Sequence, residues 1–513
     1  MRPLLYHAIR AYARPMMARY QAALNQPEAA QNRLLSRIVC GIASTEYGKA
    51  HGINSIERFK RRCPIVTYDE LSPWIDKQRA TEQRVIVPDK VRFYEKTSGS
   101  SGPQKYIPYT NALRNSFTRM FLLWSHNLLL HVPRIAQGKL YFSVSPNFDS
   151  ERTTGQGVPV GLADDADYLG GLWRAALSPF LHSDPSFGKI NDPAVFIRSL
   201  ALFLLRCEQL SAVSVWNPSF MLVLLQWLEA NRASVLAELG PQLSPQRRAA
   251  LQAAPINWPA LWPRLALISC WTDANAAPLA DKLKQHFPAV YVQGKGLLAT
   301  EAAMTIPLVG VQGGAPLVEQ TYFEFLTPAG ELRTLAELKI GERYEIVISQ
   351  QAGLCRYRMG DEVEVVDYYC NTPTLRFTGR NNRTSDLVGE KLNEAFVGQL
   401  IEQLPLETSG FRALLAIRQP RDGYVLVLDK APARAAELAE QLEQQLQQAY
   451  HYRQARALGQ LQAASVAVVA DIGNRLAAHR LQNQNNLGDM KQHYLILEHE
   501  VPADLVSKAK TLQ

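Results

Sequence analysis

The middle of the chain alternates strand-like and helix-like runs, and this alternation limits the possible folds more than any other feature. Residues 140–144 and 212–215 are short apolar runs typical of buried strands, and residues 194–210 and 220–231 have the character of helices. Strands that alternate with helices favour an α/β sheet with helices on its faces. We therefore expect an α/β fold at the centre of the molecule.

The N-terminal part has a different pattern. Over roughly the first 80 residues, apolar residues such as Leu34 and Ile38 recur at helical spacing, which predicts helices. Prolines such as Pro73 then break this pattern. Two short strands are predicted at 85–87 and 91–94. A helix is predicted after Thr110, whose hydroxyl is a plausible N-cap.

After residue 321 the sequence becomes dense in β-rich runs separated by Gly, Asn and Pro. A polar stretch then predicts a hinge at 380–388, and the segment beyond it predicts a small α+β domain with a long helix over 433–450. We therefore expect an N-terminal domain, 1–383, that combines mixed β-sheets with flanking helices, and a C-terminal domain, 384–513.

The composition excludes several classes of protein. With 47% hydrophobic and 20% charged residues among 513, the chain is not disordered, collagen-like or a coiled coil. Its net charge of +8 comes from scattered Lys and Arg, which does not indicate a nucleic-acid binder. The six cysteines form no CxxC pair, no apolar run reaches about 18 residues, and arginines interrupt the N-terminal segment. We expect a cytoplasmic location, with no structural zinc and no membrane span.

A Ser/Gly-rich loop, TSGSSGPQK at 97–105, offers small residues, hydroxyls, backbone amides and the charge of Lys105. Small residues let the backbone approach an anion closely, so the segment has the chemistry of a phosphate-binding loop. It lacks the Gly-Lys-Ser/Thr ending of a Walker A loop, and none of its three serines is flanked as in a G-x-S-x-G elbow. On its own, the pattern leaves a phosphate loop and an ordinary loop equally open.

A second candidate, GKGLLATE at 294–301, follows a strand-like run. It matches the G-x-G-x-x-A dinucleotide pattern, with Glu319 at about the distance of a ribose-binding acid. Pro307 and the glycines after it leave little room for the crossover helix that such a site requires, which disfavours that reading. Glu301 could instead be a metal-binding carboxylate, although this motif alone favours a surface glutamate.

A third stretch, CRYRMGD at 355–361, lies between two strands. An aspartate placed like Asp361 can accept hydrogen bonds from both hydroxyls of a ribose, and it can equally be an ordinary turn residue. Arg380 at the predicted hinge, and Lys391 and Lys491 beyond it, are typical of surface charge when taken singly.

Taken together, these motifs resemble the adenylate-forming superfamily, and within it the auxin-responsive acyl acid amido synthetases of the Gretchen Hagen 3 type. The resemblance runs nearly from end to end, through TSGSSGPQKYIPYT (97–110), GLLATEA (296–302), AGLCRYRMGDEVEV (352–365) and LRFTGRNNRTSDLVGEKLNE (375–394). It implies a large adenylate-forming N-terminal domain and a small mobile C-terminal α+β domain that rotates about 380–388.

The resemblance implies a ligase that uses ATP and Mg²⁺ to adenylate a carboxylic acid, releases pyrophosphate and transfers the acyl group to the amine of an amino acid. It implies small-molecule acid and amino acid partners, and we expect a monomer that binds neither nucleic acid nor membrane. The alternatives are delivery of the acyl group to a thiol of coenzyme A or a carrier protein, and a non-catalytic nucleotide-binding protein of this fold.

The resemblance also assigns residues. Lys491, Glu301 and Lys105 would be catalytic, with Glu301 a ligand of Mg²⁺ and Lys491 reaching the α-phosphate during adenylation. The residues that would bind the nucleotide are Thr97, Ser98, Ser100, Ser101, Gly102, Lys105, Thr300, Tyr357, Asp361, Arg380 and Lys391. Lys391 is also the weaker candidate for the lysine that reaches the α-phosphate.

The chain departs from the family in places. Leu298 replaces an aromatic residue of many plant members, Ala302 replaces a glycine frequent in bacterial relatives, and Cys355 replaces an aromatic residue and is expected to serve packing. The identities of the acid and the amine stay open. The partner of the acid's carboxylate also stays open, with Arg119, Arg152 and Arg174 as candidates. The general base stays open too, with His126 and His131 as candidates.

Overall fold

The structure is a computed structural model of the chain. Apart from short stretches between 153 and 190 and residue 472, it describes residues 2–81, 83–97, 105–143, 192–380, 384–406, 411–418, 421–432, 434–470 and 493–501. The described residues divide into a larger unit, up to residue 379, and a smaller unit, from residue 380 onward. The predicted domain boundary, after residue 383, adjoins residues 381–383, which lie outside the described residues.

Helices open the larger unit, as predicted. Their bounds are Arg2–Asn25 (α1), Pro27–Ile42 (α2), Glu46–Ala50 (α3), Ile56–Arg62 (α4) and Tyr68–Thr81 (α5). The hydroxyls of Thr45 and Ser55 accept backbone N–H groups in the first turns of α3 and α4 and so act as N-caps. The apolar residues at helical spacing, such as Leu34 and Ile38, are buried.

Pro73 does not end the helical pattern, contrary to the prediction, and lies inside α5. A proline lacks the N–H that would normally bond to the carbonyl four residues earlier, here that of Asp69. The hydroxyl of Ser72 donates to this carbonyl at 2.9 Å. The carbonyl therefore keeps a partner, and the helix continues past the proline.

The strand predicted at 85–87 is also wrong. Val85, Ile86 and Val87 are buried, but their backbone N–H groups all donate to the Oε1 atom of Gln78 in α5, at 2.9, 3.2 and 3.3 Å. One side-chain oxygen thus accepts hydrogen bonds that the carbonyls of a neighbouring strand would otherwise accept. Among the described residues, the first strand of the chain begins at Phe93.

A hairpin and a capped helix follow. Strands β1 (Phe93–Thr97) and β2 (Lys105–Tyr109) are antiparallel and lead into helix α6 (Asn111–His131). The hydroxyl of Thr110 accepts the N–H of Leu113 at 3.3 Å, so the predicted N-cap is confirmed.

The predicted α/β alternation is confirmed by a four-stranded parallel sheet in the order β3-β4-β5-β6. Its strands are Lys139–Phe142 (β3), Leu210–Ser214 (β4), Leu267–Ser269 (β5) and Tyr291–Gln293 (β6). The described helices between its strands are Pro193–Arg206 (α7), Pro218–Ala230 (α8), Arg232–Leu239 (α9), Pro245–Gln252 (α10), Trp258–Leu261 (α11) and Ala277–His286 (α12). Strands β4 and β5 are almost wholly buried, as expected where helices cover a parallel sheet.

A short hairpin and a seven-stranded sheet complete the larger unit. The hairpin strands are Leu298–Ala299 (β7) and Ala302–Ala303 (β8). The sheet has the order β12-β11-β13-β14-β15-β10-β9. Its strands are Thr305–Pro307 (β9), Gly314–Pro316 (β10), Tyr322–Leu326 (β11), Leu332–Thr334 (β12), Arg343–Ser349 (β13), Tyr357–Tyr369 (β14) and Thr372–Arg380 (β15).

The smaller unit is α+β, as predicted. Its elements are Thr384–Ser385 (β16), Leu392–Asn393 (β17), Glu394–Gln403 (α13), Arg412–Ile417 (β18), Gly423–Leu428 (β19), Ala435–Leu446 (α14), Tyr450–Ala457 (α15), Ser465–Val468 (β20) and Leu495–Ile496 (β21). Four strands form a sheet in the order β20-β19-β18-β21. The helix predicted over 433–450 is observed as Ala435–Leu446 and therefore ends earlier than predicted. Ala449 is extended, and a separate helix begins at Tyr450.

Candidate active site

The predicted phosphate loop connects the strands of an antiparallel hairpin. Strands β1 and β2 pair with Thr97 opposite Lys105. The Lys105 ammonium lies 5.3 Å from the centre of the Tyr68 ring, within range of a cation–π interaction. Of the predicted loop residues, those outside the described part of the chain are Ser98, Ser100, Ser101 and Gly102, together with the side chain of Thr97.

Aromatic residues hold this hairpin from both sides. The Tyr68 hydroxyl of α5 accepts the backbone N–H of Tyr106 at 2.7 Å. Burial raises the pKa of Tyr68, and the negative charges of Asp76 and Glu301 raise it further. On the other side, the Tyr109 ring stacks on Phe93 and Phe117, with centroid distances of 4.6 and 5.8 Å. The strand that begins at Lys105 is therefore fixed to two helices.

Thr300 and Glu301 occupy the two-residue turn between β7 and β8, where Ala299 pairs with Ala302. The Thr300 hydroxyl donates to Oε2 of Glu301 at 3.0 Å. The Glu301 side chain is buried, with the residue 9% exposed. The surface glutamate that the motif alone favoured is thus not observed.

A hydrogen bond joins this turn to the phosphate-loop hairpin. The hydroxyl of Tyr109, at the end of β2, donates to the carbonyl of Thr300 at 2.6 Å. From a third direction, the side-chain amide of Gln350 donates to the carbonyl of Glu301 at 3.4 Å. The structure thus gathers the Lys105 strand, the Thr300–Glu301 turn and the connection between β13 and β14.

Asp361 lies in β14 at an irregularity in its pairing with β13. The register shifts between Glu345 and Val347, and Gly360 has a φ of +80°, a conformation that other residues rarely adopt. Beyond the bulge, Asp361 alternates in phase with the buried Val363 and is itself buried. The bulge thus turns a carboxylate toward the interior, where an ordinary exposed turn aspartate would not lie.

Three residues shortly before Asp361 in the sequence, Cys355, Arg356 and Tyr357, are buried. Tyr357, which the resemblance assigns to nucleotide binding, is 1% exposed and lies in the hydrophobic core of the larger unit, so that role stays a prediction. The guanidinium of Arg356 binds both carboxylate oxygens of Glu324, at 2.6 and 3.0 Å. Cys355 is fully buried, and burial holds its thiol pKa well above the usual range, as expected for a packing residue.

The remaining predicted residues, Arg380, Lys391 and Lys491, belong to the smaller unit. Lys391 precedes β17 and has a φ of +51°. The Arg380 side chain and all of Lys491 lie outside the described residues, so their assignments stay predictions.

The residues present fit Mg²⁺ bound mainly through phosphate. Mg²⁺ commonly uses one or two carboxylates together with phosphate oxygens and water. Glu301 offers one buried carboxylate at the turn. Within the described ranges, no group of three or more His, Cys, Asp and Glu could hold a metal without a nucleotide. Glu301 is therefore the candidate protein ligand.

Other candidates from the sequence have structural partners. Glu319, which the dinucleotide pattern singled out, pairs with Arg19 at 3.0 Å and with Arg119 at 2.6 Å. His126 contacts the carbonyl of Arg10, and burial lowers its pKa. Arg152 and Arg174 lie outside the described residues.

Sequence reasoning missed the residues that support the site. Tyr109 stood in a quoted motif, but nothing in the pattern pointed to Thr300, 191 positions away. Gln350 and Gln78 carried no signal, because a lone glutamine is common on protein surfaces.

The sequence and the fold are both similar to those of known proteins. Models of the GH3 family match in three parts: the N-terminal domain at residues 16–292, the central domain at 314–380 and the C-terminal domain at 391–500. The chain is 24% identical over 427 residues to the 4-substituted benzoates-glutamate ligase GH3.12 of Arabidopsis thaliana, covering 74% of each protein.

Two solved structures share the fold. The AtGH3.15 acyl acid amido synthetase in complex with 2,4-DB has a TM-score of 0.63 at 17% identity, covering 98% of this chain and 96% of the other. A 2-hydroxyisobutyryl-CoA ligase in complex with 2-HIB-AMP and CoA has a TM-score of 0.58 at 16% identity, covering 92% and 90%. The fold is thus that of adenylate-forming enzymes.

Proposed function

The chain belongs to the GH3 family, and we propose that it is an ATP-dependent acid–amino acid ligase. It activates a carboxylic acid as an acyl adenylate, releases pyrophosphate and transfers the acyl group to the amine of an amino acid. Names of relatives support the amide product, since one is a benzoates-glutamate ligase and another an acyl acid amido synthetase. The CoA ligase of the same fold, solved in complex with 2-HIB-AMP, supports activation as an acyl adenylate.

The observation that carries the proposal is the hydrogen bond from Tyr109 to the Thr300 carbonyl. It ties the hairpin that presents Lys105 to the turn that presents Glu301. Attack of a carboxylate on the α-phosphate brings two anions together, and preorganised positive and hydrogen-bonding groups must offset that repulsion. A cation and a metal-binding carboxylate on two connected hairpins supply such an arrangement.

Each predicted residue has a role in this scheme. Lys105 and the loop residues Thr97, Ser98, Ser100, Ser101 and Gly102 hold the polyphosphate, and Thr300 orients the Glu301 carboxylate. Bound Mg²⁺ would polarise the phosphate oxygens, and Glu301 would hold it. Asp361 accepts hydrogen bonds from the ribose hydroxyls, and Tyr357, in the same strand, belongs to the nucleotide-binding set. Arg380, Lys391 and Lys491 contribute from the segment beyond the larger unit, and Lys491 acts on the α-phosphate.

The proposed location follows from the described helices and the cysteines. Within the described residues, no helix is both long and apolar enough to cross a bilayer. All six cysteines are free thiols, which suits a reducing compartment. We place the enzyme in the cytoplasm as a monomer.

The acyl acceptor is the point that the fold leaves open. The same fold serves a CoA ligase, so the likeness of structure does not choose between an amine and a thiol. Membership of the GH3 family favours the amine.

Acid-dependent pyrophosphate release tests the proposal. The chain is incubated with ATP, Mg²⁺ and a panel of aryl, indolyl, jasmonate-like and fatty acids, each alone, with mixed amino acids, or with coenzyme A. We expect acid-dependent release and an amide product identified by mass. A thioester product would establish the alternative, and ATP binding without acid-dependent release would favour a non-catalytic protein.

Glu301→Gln gives the matched test of the site. Loss of the charge should lower the rate by roughly 100-fold or more, since the metal loses its carboxylate. Glu331→Gln removes an exposed carboxylate in the same unit and should leave the rate unchanged. Near-normal turnover of Glu301→Gln at saturating Mg²⁺ would remove Glu301 from the site.

A further inference from the structure

The smaller unit contains a buried carboxylate, Glu390, that is only 1% exposed. Its two oxygens accept the backbone N–H groups of Leu387 and Val388, each at 2.8 Å. The hydroxyl of Tyr424, in β19, donates to the same carboxylate and is 2.8 Å from Ser385 Oγ. A carboxylate loses its hydration on burial, so its position has to be supported by several hydrogen bonds.

These contacts hold together the loop that connects β16 and β17. The two strands pair, with Thr384 opposite Asn393 and Ser385 opposite Leu392. Inside the loop, Asp386 accepts the N–H of Gly389 at 2.7 Å. The loop backbone is thus held by carboxylates as well as by its strands.

Lys391 comes directly after Glu390 and is fixed on both sides. Its positive φ is strained for a residue with a side chain, and such strain persists only where the surroundings enforce it. On the far side, Asn393 caps helix α13 by accepting the N–H of Phe396 at 2.7 Å. The direction in which Lys391 leaves the backbone therefore depends on the loop that Glu390 closes.

We propose that Glu390 is a positioning residue that acts through Lys391: its carboxylate fixes the backbone conformation from which the lysine extends toward the nucleotide. The inference rests on the proposed function, in which Lys391 contacts the nucleotide. It assigns Glu390 a part in the reaction that none of the sequence motifs gave it.

A double-mutant cycle tests this inference. The variants are Glu390→Gln, Lys391→Ala and the double variant, each assayed for ATP binding by titration calorimetry and for acid-dependent pyrophosphate release. Glutamine keeps the size of the side chain, but only one of its two terminal atoms can accept an N–H. We expect Glu390→Gln to lower the rate roughly 10-fold in the wild-type background and less than about 2-fold in the Lys391→Ala background.

Controls separate positioning from general damage. Glu402→Gln alters an exposed carboxylate of α13 that binds the Tyr494 hydroxyl, and it should behave as wild type. Tyr424→Phe removes one donor and keeps the carboxylate, so a smaller loss of the same kind is expected. Hydrogen exchange should show faster exchange at Leu387 and Val388 in Glu390→Gln, with the sheet amides of the smaller unit unchanged.

Each outcome bears on the proposal. Equal losses from Glu390→Gln in both backgrounds would overturn it, because Glu390 would then act independently of Lys391. Wild-type activity of Lys391→Ala would overturn it too. If the wild-type chain binds ATP but releases no pyrophosphate, the proposed function fails, and the cycle is then decided on ATP affinity alone.

Discussion

Glu301 occupies a turn whose own strands are too short to hold it. Strands β7 and β8 contain two residues each, so the turn depends on contacts from outside the hairpin. Those contacts reach the backbone, from the Tyr109 hydroxyl to Thr300 and from the Gln350 amide to Glu301. The turn is thus positioned by hydrogen bonds to its backbone, which do not involve the carboxylate of Glu301.

Tyr109→Phe tests this support at the scale of one atom. The ring keeps its stacking on Phe93 and Phe117, while the Thr300 carbonyl loses its donor. A lost hydrogen bond of this kind is worth about 1 kcal/mol, so pyrophosphate release should slow roughly five-fold with little change in unfolding. Tyr368→Phe is the control, since Tyr368 also donates to a backbone carbonyl, that of Leu338. An unchanged rate in Tyr109→Phe would mean that the Thr300–Glu301 turn keeps its position without this hydrogen bond.

How much of the site the sequence could predict depends on the kind of residue. Lys105, Glu301 and Asp361 stand in short motifs whose residue types indicate their chemistry. The structure places Lys105 and Glu301 on two hairpins that a hydrogen bond connects. Tyr109 and Gln350 act across 191 and 49 positions of sequence, through contacts that only the folded chain creates. Short sequence motifs therefore do not indicate such contacts.

At the scale of elements, side chains replace missing backbone partners. Gln78 accepts the N–H groups of three successive valine and isoleucine residues at 85–87, and Ser72 serves the carbonyl that Pro73 leaves without a helical donor. At both places the sequence prediction was wrong, because β-branched runs normally indicate strands and prolines normally end helices. The alternating centre and the α+β end were predicted correctly, because their apolar periodicity is repeated over many residues.

Gln78→Ala should destabilise the larger unit. The change leaves the buried N–H groups of Ile86 and Val87 without their acceptor, while the Val85 N–H keeps the carbonyl of Gln83 at 2.8 Å. We therefore expect the free energy of unfolding to fall by roughly 2 kcal/mol. Urea unfolding followed by tryptophan fluorescence measures it, since Trp74 lies in the same helix. Gln21→Ala, which removes a glutamine with an exposed bond to the Tyr369 hydroxyl, should cost less than about 0.5 kcal/mol. A similarly small loss for Gln78→Ala would show that other groups satisfy these amides.

At the scale of the whole molecule, the two units can be observed separately. All eight tryptophans stand between residues 74 and 271, so indole fluorescence reports on the larger unit alone. The smaller unit requires another probe, and hydrogen exchange at the paired, buried strands β18 and β19 supplies one.

Titratable groups make the stability of the two units depend on pH in opposite directions. In the larger unit, burial lowers the pKa of His126 and His182, so the stabilisation they give is lost as the pH falls below about 6.5. In the smaller unit, burial and the charge of Asp386 raise the pKa of Glu390 from 4.5 to about 7. Its folded form then keeps a proton that the unfolded chain releases between these values, so stability falls as the pH rises through them.

A comparison of wild type with Glu390→Gln isolates that dependence. The titratable groups that act on Glu390 or adjoin it are Asp386, Tyr424 and Tyr452, and all three are present in both proteins. Burial raises the pKa values of the two tyrosines, which stay protonated in this range. One proton changes the free energy of unfolding by at most about 1.4 kcal/mol per pH unit. From pH 7 to pH 5.5, exchange at Leu414 and Leu426 should therefore show wild type gaining up to roughly 2 kcal/mol relative to the variant, with identical tryptophan transitions. A difference that does not change with pH would show that Glu390 is already ionised throughout, and that its three hydrogen bonds outweigh the cost of burying its charge.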